Sequence, residues 1–180
     1  MTQVAVLFAE GFEEVEALTP VDVLRRAGLA VTMIGLNDKV VTGSHGISVQ
    51  TDSIFDGDLS QYDLAVVPGG MPGATNLRDH KKLIATLSQR KDQYTAAICA
   101  GPIVLEEAGL LSERNFTCYP GFDEQITHGH HLQQPVVIDD KLVTARSVAA
   151  AMAFSLSLAE LLGADRKQLS DSMVYDDQQV

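Results

Sequence analysis

Ala96-Ala97-Ile98-Cys99-Ala100-Gly101-Pro102 carries an apolar run straight into a helix start through a cysteine flanked by small residues. Tyr94 to Cys99 reads as a strand buried on both faces, and Pro102 sits where the first turn of a helix over Pro102 to Ala108 begins. Strand followed at once by helix is the unit from which parallel sheets are built. The rest of the chain repeats it. Val4 to Phe8 is another continuous apolar run, and Val15, Leu18, Val21 and Leu24 then recur at helical spacing. Arg25 and Arg26 close that helix, with Gly28 at the left-handed cap position, while Pro20 predicts a kink or a fresh start capped by Thr19. Ala30 to Ile34 and Leu64 to Val67 add buried strands. Ile47 and Val49, alternating with polar residues, predict a short half-exposed strand or hairpin.

Further on, His80 to Arg90 reads as a helix and Phe116 to Cys118 as a short strand. Val136 to Ile138 and Leu142 to Thr144 flank Asp139-Asp140-Lys141 like a hairpin, and Ser147 to Leu162 suits a buried helix. Asp176 to Val180 is expected to fray. The pattern predicts one α/β domain over 1–180, a mainly parallel sheet with helices on both faces. In such sheets ligands bind beyond the carboxyl ends of the strands.

Composition narrows the function. Over 180 residues, 24 Asp and Glu against 13 Lys and Arg give a net charge of −11, which repels phosphate backbones. Nucleic acid and anionic membranes are therefore not expected as partners. No run is long enough to span a bilayer, and Thr2-Gln3 lead into an apolar run without a basic flank, so a cytoplasmic protein is expected. Cys99 and Cys118 lack disulfide or metal spacing, which predicts reduced thiols and no metal.

Three segments follow strands and carry chemistry. At Cys99 the small neighbours resemble a nucleophile elbow, and the adjoining helix start is expected to favour the thiolate. A buried cysteine acting as a small hydrophobe is the plain alternative. Glu10-Gly11-Phe12-Glu13-Glu14-Val15-Glu16 places four carboxylates beyond the first strand. Two or three of them read as a solvated helix start; Glu16, among Val15, Ala17 and Leu18, is expected to be drawn inward with a raised pKa. Pro68-Gly69-Gly70-Met71-Pro72-Gly73 lacks the Lys-Ser/Thr ending of a phosphate loop, and its glycine spacing fails the dinucleotide fingerprint, so it reads as a turn aiming backbone amides at an oxyanion. His128-Gly129-His130-His131 has no further ligand at zinc spacing and reads as a polar loop.

AEGFEEVEALTPVDVLRRAG (9–28), VVPGG (66–70) and AAICAGP (96–102) together resemble the DJ-one/ThiJ/PfpI superfamily, in its deglycase branch, over nearly the whole chain. The resemblance implies a flavodoxin-like sandwich, a homodimer and an oxidation-prone cysteine beside a protonated glutamate. By position these roles fall on Cys99 and Glu16, with backbone donors near Gly69, Gly70 and Ala100. It also implies cofactor-free glyoxalase or deglycase chemistry, chaperone activity or oxidative-stress sensing. Tyr119-Pro120 stands where that branch has His-Pro, His45 lies near the place of a pocket arginine, and Ser147-Val148-Ala149-Ala150 replaces a Gly-Pro-Gly stretch. Protease relatives carry a histidine directly after the nucleophile; here it is Ala100.

Two functions are expected to compete. One is a cofactor-independent enzyme acting on methylglyoxal-type dicarbonyls or their adducts, with Cys99 as nucleophile, Glu16 as proton relay and Tyr119 and His45 near the pocket. The other is a stress sensor or chaperone whose Cys99 oxidises to a sulfinate without metabolic turnover.

Overall fold

Period-two burial in the apolar runs sorts side chains onto two faces of one sheet. In the computed structural model, which describes residues 2–176, β1 (Gln3–Phe8) sends Ala5 and Leu7 into one apolar cluster and Val4, Val6 and Phe8 into the other. The chain continues through α1 (Glu14–Arg26), β2 (Ala30–Gly35), β3 (Val40–Thr42), β4 (Ser48–Gln50) and β5 (Ser53–Ile54). Next come β6 (Leu64–Val67), α2 (Gly73–Arg78), α3 (Lys81–Leu87), β7 (Tyr94–Ile98) and α4 (Pro102–Glu107). It ends with β8 (Asn115–Phe116), β9 (His130–His131), β10 (Val136–Asp139), β11 (Leu142–Ala145), α5 (Ala151–Leu161) and α6 (Arg166–Ser172).

The main sheet has the order β10-β11-β7-β6-β1-β2-β5 and is parallel except for the β10–β11 hairpin. Residues from α2, α3 and α4 fill the cluster on one face, and residues from α1, α5 and α6 fill the other. Phe8, Phe12, Phe116 and Phe154 are completely buried there, each stabilising the fold by about 1.5–3 kcal/mol. This is the expected α/β sandwich. β3 and β4 form the expected small hairpin.

Two expectations need correction. Pro20 does not open a fresh helix capped by Thr19; α1 runs from Glu14 to Arg26 through it, and Pro20 is buried. Packing of Val21, Val23 and Leu24 into the core outweighs the lost N–H bond. The expected long helix from Ser147 instead opens as a short 3-10 turn at Val148–Ala150, and α5 starts at Ala151. Gly28, at φ 78°, ends α1 as anticipated, with Leu29 N–H reaching Leu24 C=O at 3.1 Å. Of the terminus expected to fray, 177–180 lies outside the described residues.

Candidate active site at the end of the central strands

The ladder of β7 stops at Ile98, and the next residue turns sharply. Cys99 has φ 62°, a left-handed conformation that residues with a Cβ rarely adopt. Neighbouring backbone holds it there: Cys99 N–H donates to Ala145 C=O at 2.9 Å, and Cys99 C=O accepts from Tyr119 N–H at 3.0 Å. Such overdetermined strain collects at functional positions. The side chain is half-buried, whereas Cys118 is wholly buried.

Glu16, in the first turn of α1, is 0% exposed. Its Oε2 accepts from Gly69 N–H at 3.1 Å, and its Oε1 is buried without a partner of hydrogen-bonding geometry. Burial pushes this carboxyl up to about 7; the Cys99 and Gly69 contacts work against the rise and the Glu13 carboxylate adds to it. A Cβ on Gly69 would lie 2.5 Å from Glu16 Oε2, 2.8 Å from Cys99 Cβ and 2.9 Å from Ala100 N. The glycine turn, the acid and the cysteine therefore meet at one point. Only glycine leaves room for that approach.

The expected low-pKa thiolate is not what this surrounding produces. Burial, then the Glu16 carboxylate beside it, pushes the Cys99 thiol well up, with the Ala100 N–H opposing. The helix dipole offers little against this, because α4 has six residues and its cap is Gly101, two residues past the sulfur. Protonating Glu16 removes the repulsion and turns the same group into a donor. The protonation of the carboxyl and that of the thiol are therefore coupled.

The acidic helix start is also less solvated than its composition suggested. Glu14 and Glu16 are buried while Val15 between them is 48% exposed. Glu13 caps α1 through Glu16 N–H at 2.8 Å. Glu14 accepts from His45 N–H at 2.7 Å and pairs with His45 Nδ1 at 2.9 Å, which raises the His45 pKa and ties the β3–β4 hairpin to α1. Among the described residues, Glu13, Glu14 and His45 are the cluster whose ligand atoms, within 4.8 Å of one another, have metal-like spacing. Both Glu14 oxygens are engaged in hydrogen bonds to the hairpin, which locks it to the helix. His128, by contrast, pairs with Glu106 at 2.6 Å, away from His45.

Residues 2–161 match the DJ-1/PfpI family. The chain belongs to that family. It is 35% identical over 169 residues to the Parkinson disease protein 7 homolog of Danio rerio, covering 89% of each chain. It is 34% identical over 164 residues to a deglycase of Pyrococcus horikoshii, covering 89% of this chain and 99% of that one. Among solved structures, oxidized DJ-1 of Toxoplasma gondii superposes with a TM-score of 0.91 at 34% identity, covering 97% of this chain and 99% of that one. A DJ-1 superfamily protein of Salmonella typhimurium gives 0.92 at 29% identity, covering 98% and 100%.

Against this DJ-1/PfpI background the departures acquire positions. Tyr119 is bonded to Cys99 through its backbone, yet the residue is 47% exposed and its ring packs edge-on against Phe122. His45 stands over the amino end of α1 with Glu13 and Glu14. The structure brings Cys99, Glu16, Gly69 and Ala100 together; Gly70, at φ 86°, packs on the backbone of Phe12 and Glu13. Glu13 and Glu14 were not singled out from the sequence. Their signal was the buried-acid, exposed-valine inversion, which spacing does not reveal. Among the described residues, no helix is long and apolar enough to cross a membrane.

Proposed function

We propose that this DJ-1/PfpI protein is a cofactor-independent, cysteine-dependent glyoxalase or deglycase acting on methylglyoxal-type dicarbonyls or their early adducts. The buried, readily protonated Glu16 beside a half-exposed Cys99 is the observation that carries this reading. The similarity to a deglycase of Pyrococcus horikoshii supports it.

Glu16 takes the thiol proton, and the sulfur attacks the aldehyde carbon as the C=O π bond opens to an alkoxide. The Ala100 N–H beside the sulfur is the backbone donor for that charge, the Gly69 donor being used by Glu16. Glu16 returns its proton to the alkoxide, giving a hemithioacetal. The hydrogen on that carbon then leaves as a proton to the Glu16 carboxylate, and its electron pair forms an enediolate with the charge on the former ketone oxygen. Glu16 returns that proton to the second carbon while the hydroxyl proton of the first carbon passes to the second oxygen, giving a 2-hydroxy thioester. Water cleaves the C–S bond and releases lactate and free thiol. The aldehyde carbon is oxidised and the ketone carbon reduced, so no external oxidant is needed.

Wild-type protein is expected to form lactate from methylglyoxal without added cofactor. Glu16→Gln should lower turnover about 10²–10⁴-fold. Between the unfolded pKa of 4.5 and the folded value of about 7, the folded chain holds a proton that the unfolded chain has released. Stability from this group is therefore complete below the window and lost as pH rises through it. Above it the ionised acid costs about 3 kcal/mol, so Glu16→Gln should melt higher than wild type at alkaline pH and not at acid pH. Unchanged turnover in Glu16→Gln would remove Glu16 from the mechanism.

A second reading, a redox sensor without turnover, is favoured by Tyr119, which puts no imidazole next to Cys99. It requires that wild type yield no lactate while peroxide oxidises Cys99 ahead of buried Cys118. The protein is further proposed to act as a homodimer, supported by exposed Val15 and Ile47 beside the helix–hairpin lock. Light scattering from a 19.4 kDa particle at micromolar concentration would contradict that.

A further inference from the structure

The cations of this acidic chain are unevenly placed. Arg90, Lys91, Arg114 and Lys141 all line one cavity of about 170 Å³, with Thr95 and Ser112, and no carboxylate lines it. That is four of the 13 basic residues in a chain of net charge −11. The cavity lies at the amino end of β7, about 13 Å along the strand from Cys99, at the opposite end of the strands.

Two of its walls are buried polar groups with spare capacity. Arg90 is 2% exposed and donates to the C=O groups of Leu59 at 2.8 Å and of Tyr62 and Tyr94 at 3.0 Å, yet its Nε has no partner. Thr95 is 3% exposed, and its hydroxyl is unpartnered as well. Lys141 Nζ donates only to a neutral group, Asp92 C=O at 2.8 Å, so its charge is not neutralised there. Arg114 is paired with Asp139 at 3.1 Å and frames the rim. Asp63 acts on Arg90 from outside the lining, yet the buried arginine and the two lysines still leave an excess of positive charge at the cavity itself. That suits a dianion better than a single carboxylate.

We infer that this cavity is a binding site for a phosphate group, free or carried by a small metabolite. Lys91 and Lys141 supply the mobile charges, Thr95 and Ser112 hydroxyls supply donors, and Arg90 fixes the floor while holding the loop after α3 to the strand. The site is separate from the thiol chemistry.

The test is a titration of the full chain with inorganic phosphate at constant ionic strength, followed by amide NMR shifts and by melting temperature, with acetate and chloride as comparison ions. Phosphate should shift the amides of Thr95 and Ser112 and raise the melting temperature; acetate and chloride should not. The double variant Lys91→Gln/Lys141→Gln should weaken phosphate binding by about tenfold or more. Thr95→Val, which keeps side-chain shape, should weaken it by a smaller factor. Lys39→Gln, remote from the cavity, should leave binding unchanged. Lactate production by the lysine double variant should match wild type, which separates this inference from the catalytic proposal. Equal response to acetate, or undiminished phosphate affinity in both cavity variants, overturns it.

Discussion

Cys99→Ala is expected to produce no lactate from methylglyoxal at any pH where the protein stays folded. The reaction needs a C–S bond, and Cys118 cannot substitute because it is completely buried and burial, the largest cause, pushes its thiol up to about 12. A positioned acid–base partner that loses its nucleophile has nothing to act on. The variant keeps a Cβ at φ 62°, so backbone strain is unchanged. Its melting temperature should move by only a few degrees, since one half-buried sulfur is removed. Lactate measured by an enzyme-coupled assay checks this, with melting curves recorded alongside. Residual lactate at more than a trace would place the nucleophile elsewhere.

Gly69→Ala should be nearly as damaging to turnover while leaving both reactive side chains in the sequence. Its new Cβ would press within 2.9 Å of Glu16 Oε2, Cys99 Cβ and the Ala100 amide at once. Two of these belong to the reacting pair and the third is backbone, so none can yield cheaply. Displacing Glu16 also breaks its bond from Gly69 N–H. A misplacement on the order of 1 Å costs about 10²-fold, which is the fall in kcat expected here. Accessibility of Cys99 to a thiol reagent should persist. Turnover equal to wild type would mean that the three groups need not meet.

The sheet was legible because its strands are continuous apolar runs. Leu64 to Val67 has no polar residue to blur it, and the strand appears at those limits. The helix cap at Gly28 was legible for a local reason, the need for positive φ. Pro20 misled because its local penalty is outweighed by tertiary packing, which no local rule contains. α2 escaped notice because its six residues, Gly73–Arg78, carry too little periodicity to show a face. α6 was overlooked for a similar reason, since mainly Leu169 of its seven residues faces the core.

For the site, Cys99 announced itself by its small neighbours and Glu16 by its apolar flanks. The direction of the Cys99 shift did not follow, because it depends on how deeply the sulfur sits and on a carboxylate that is 83 positions away in sequence. The link between Glu14 and His45 is likewise a contact between distant segments, 31 positions apart. Neither element alone encodes it.

Cys99 is proposed to bond covalently to the substrate, with its proton passed to Glu16. Rapid-quench peptide mass spectrometry of the wild-type protein during turnover of methylglyoxal tests it most directly. An adduct is expected on the peptide carrying Cys99, formed and consumed at the rate of lactate release and persisting longer in Glu16→Gln. Lactate released while Cys99 stays unmodified, or with the adduct on Cys118 instead, would contradict it.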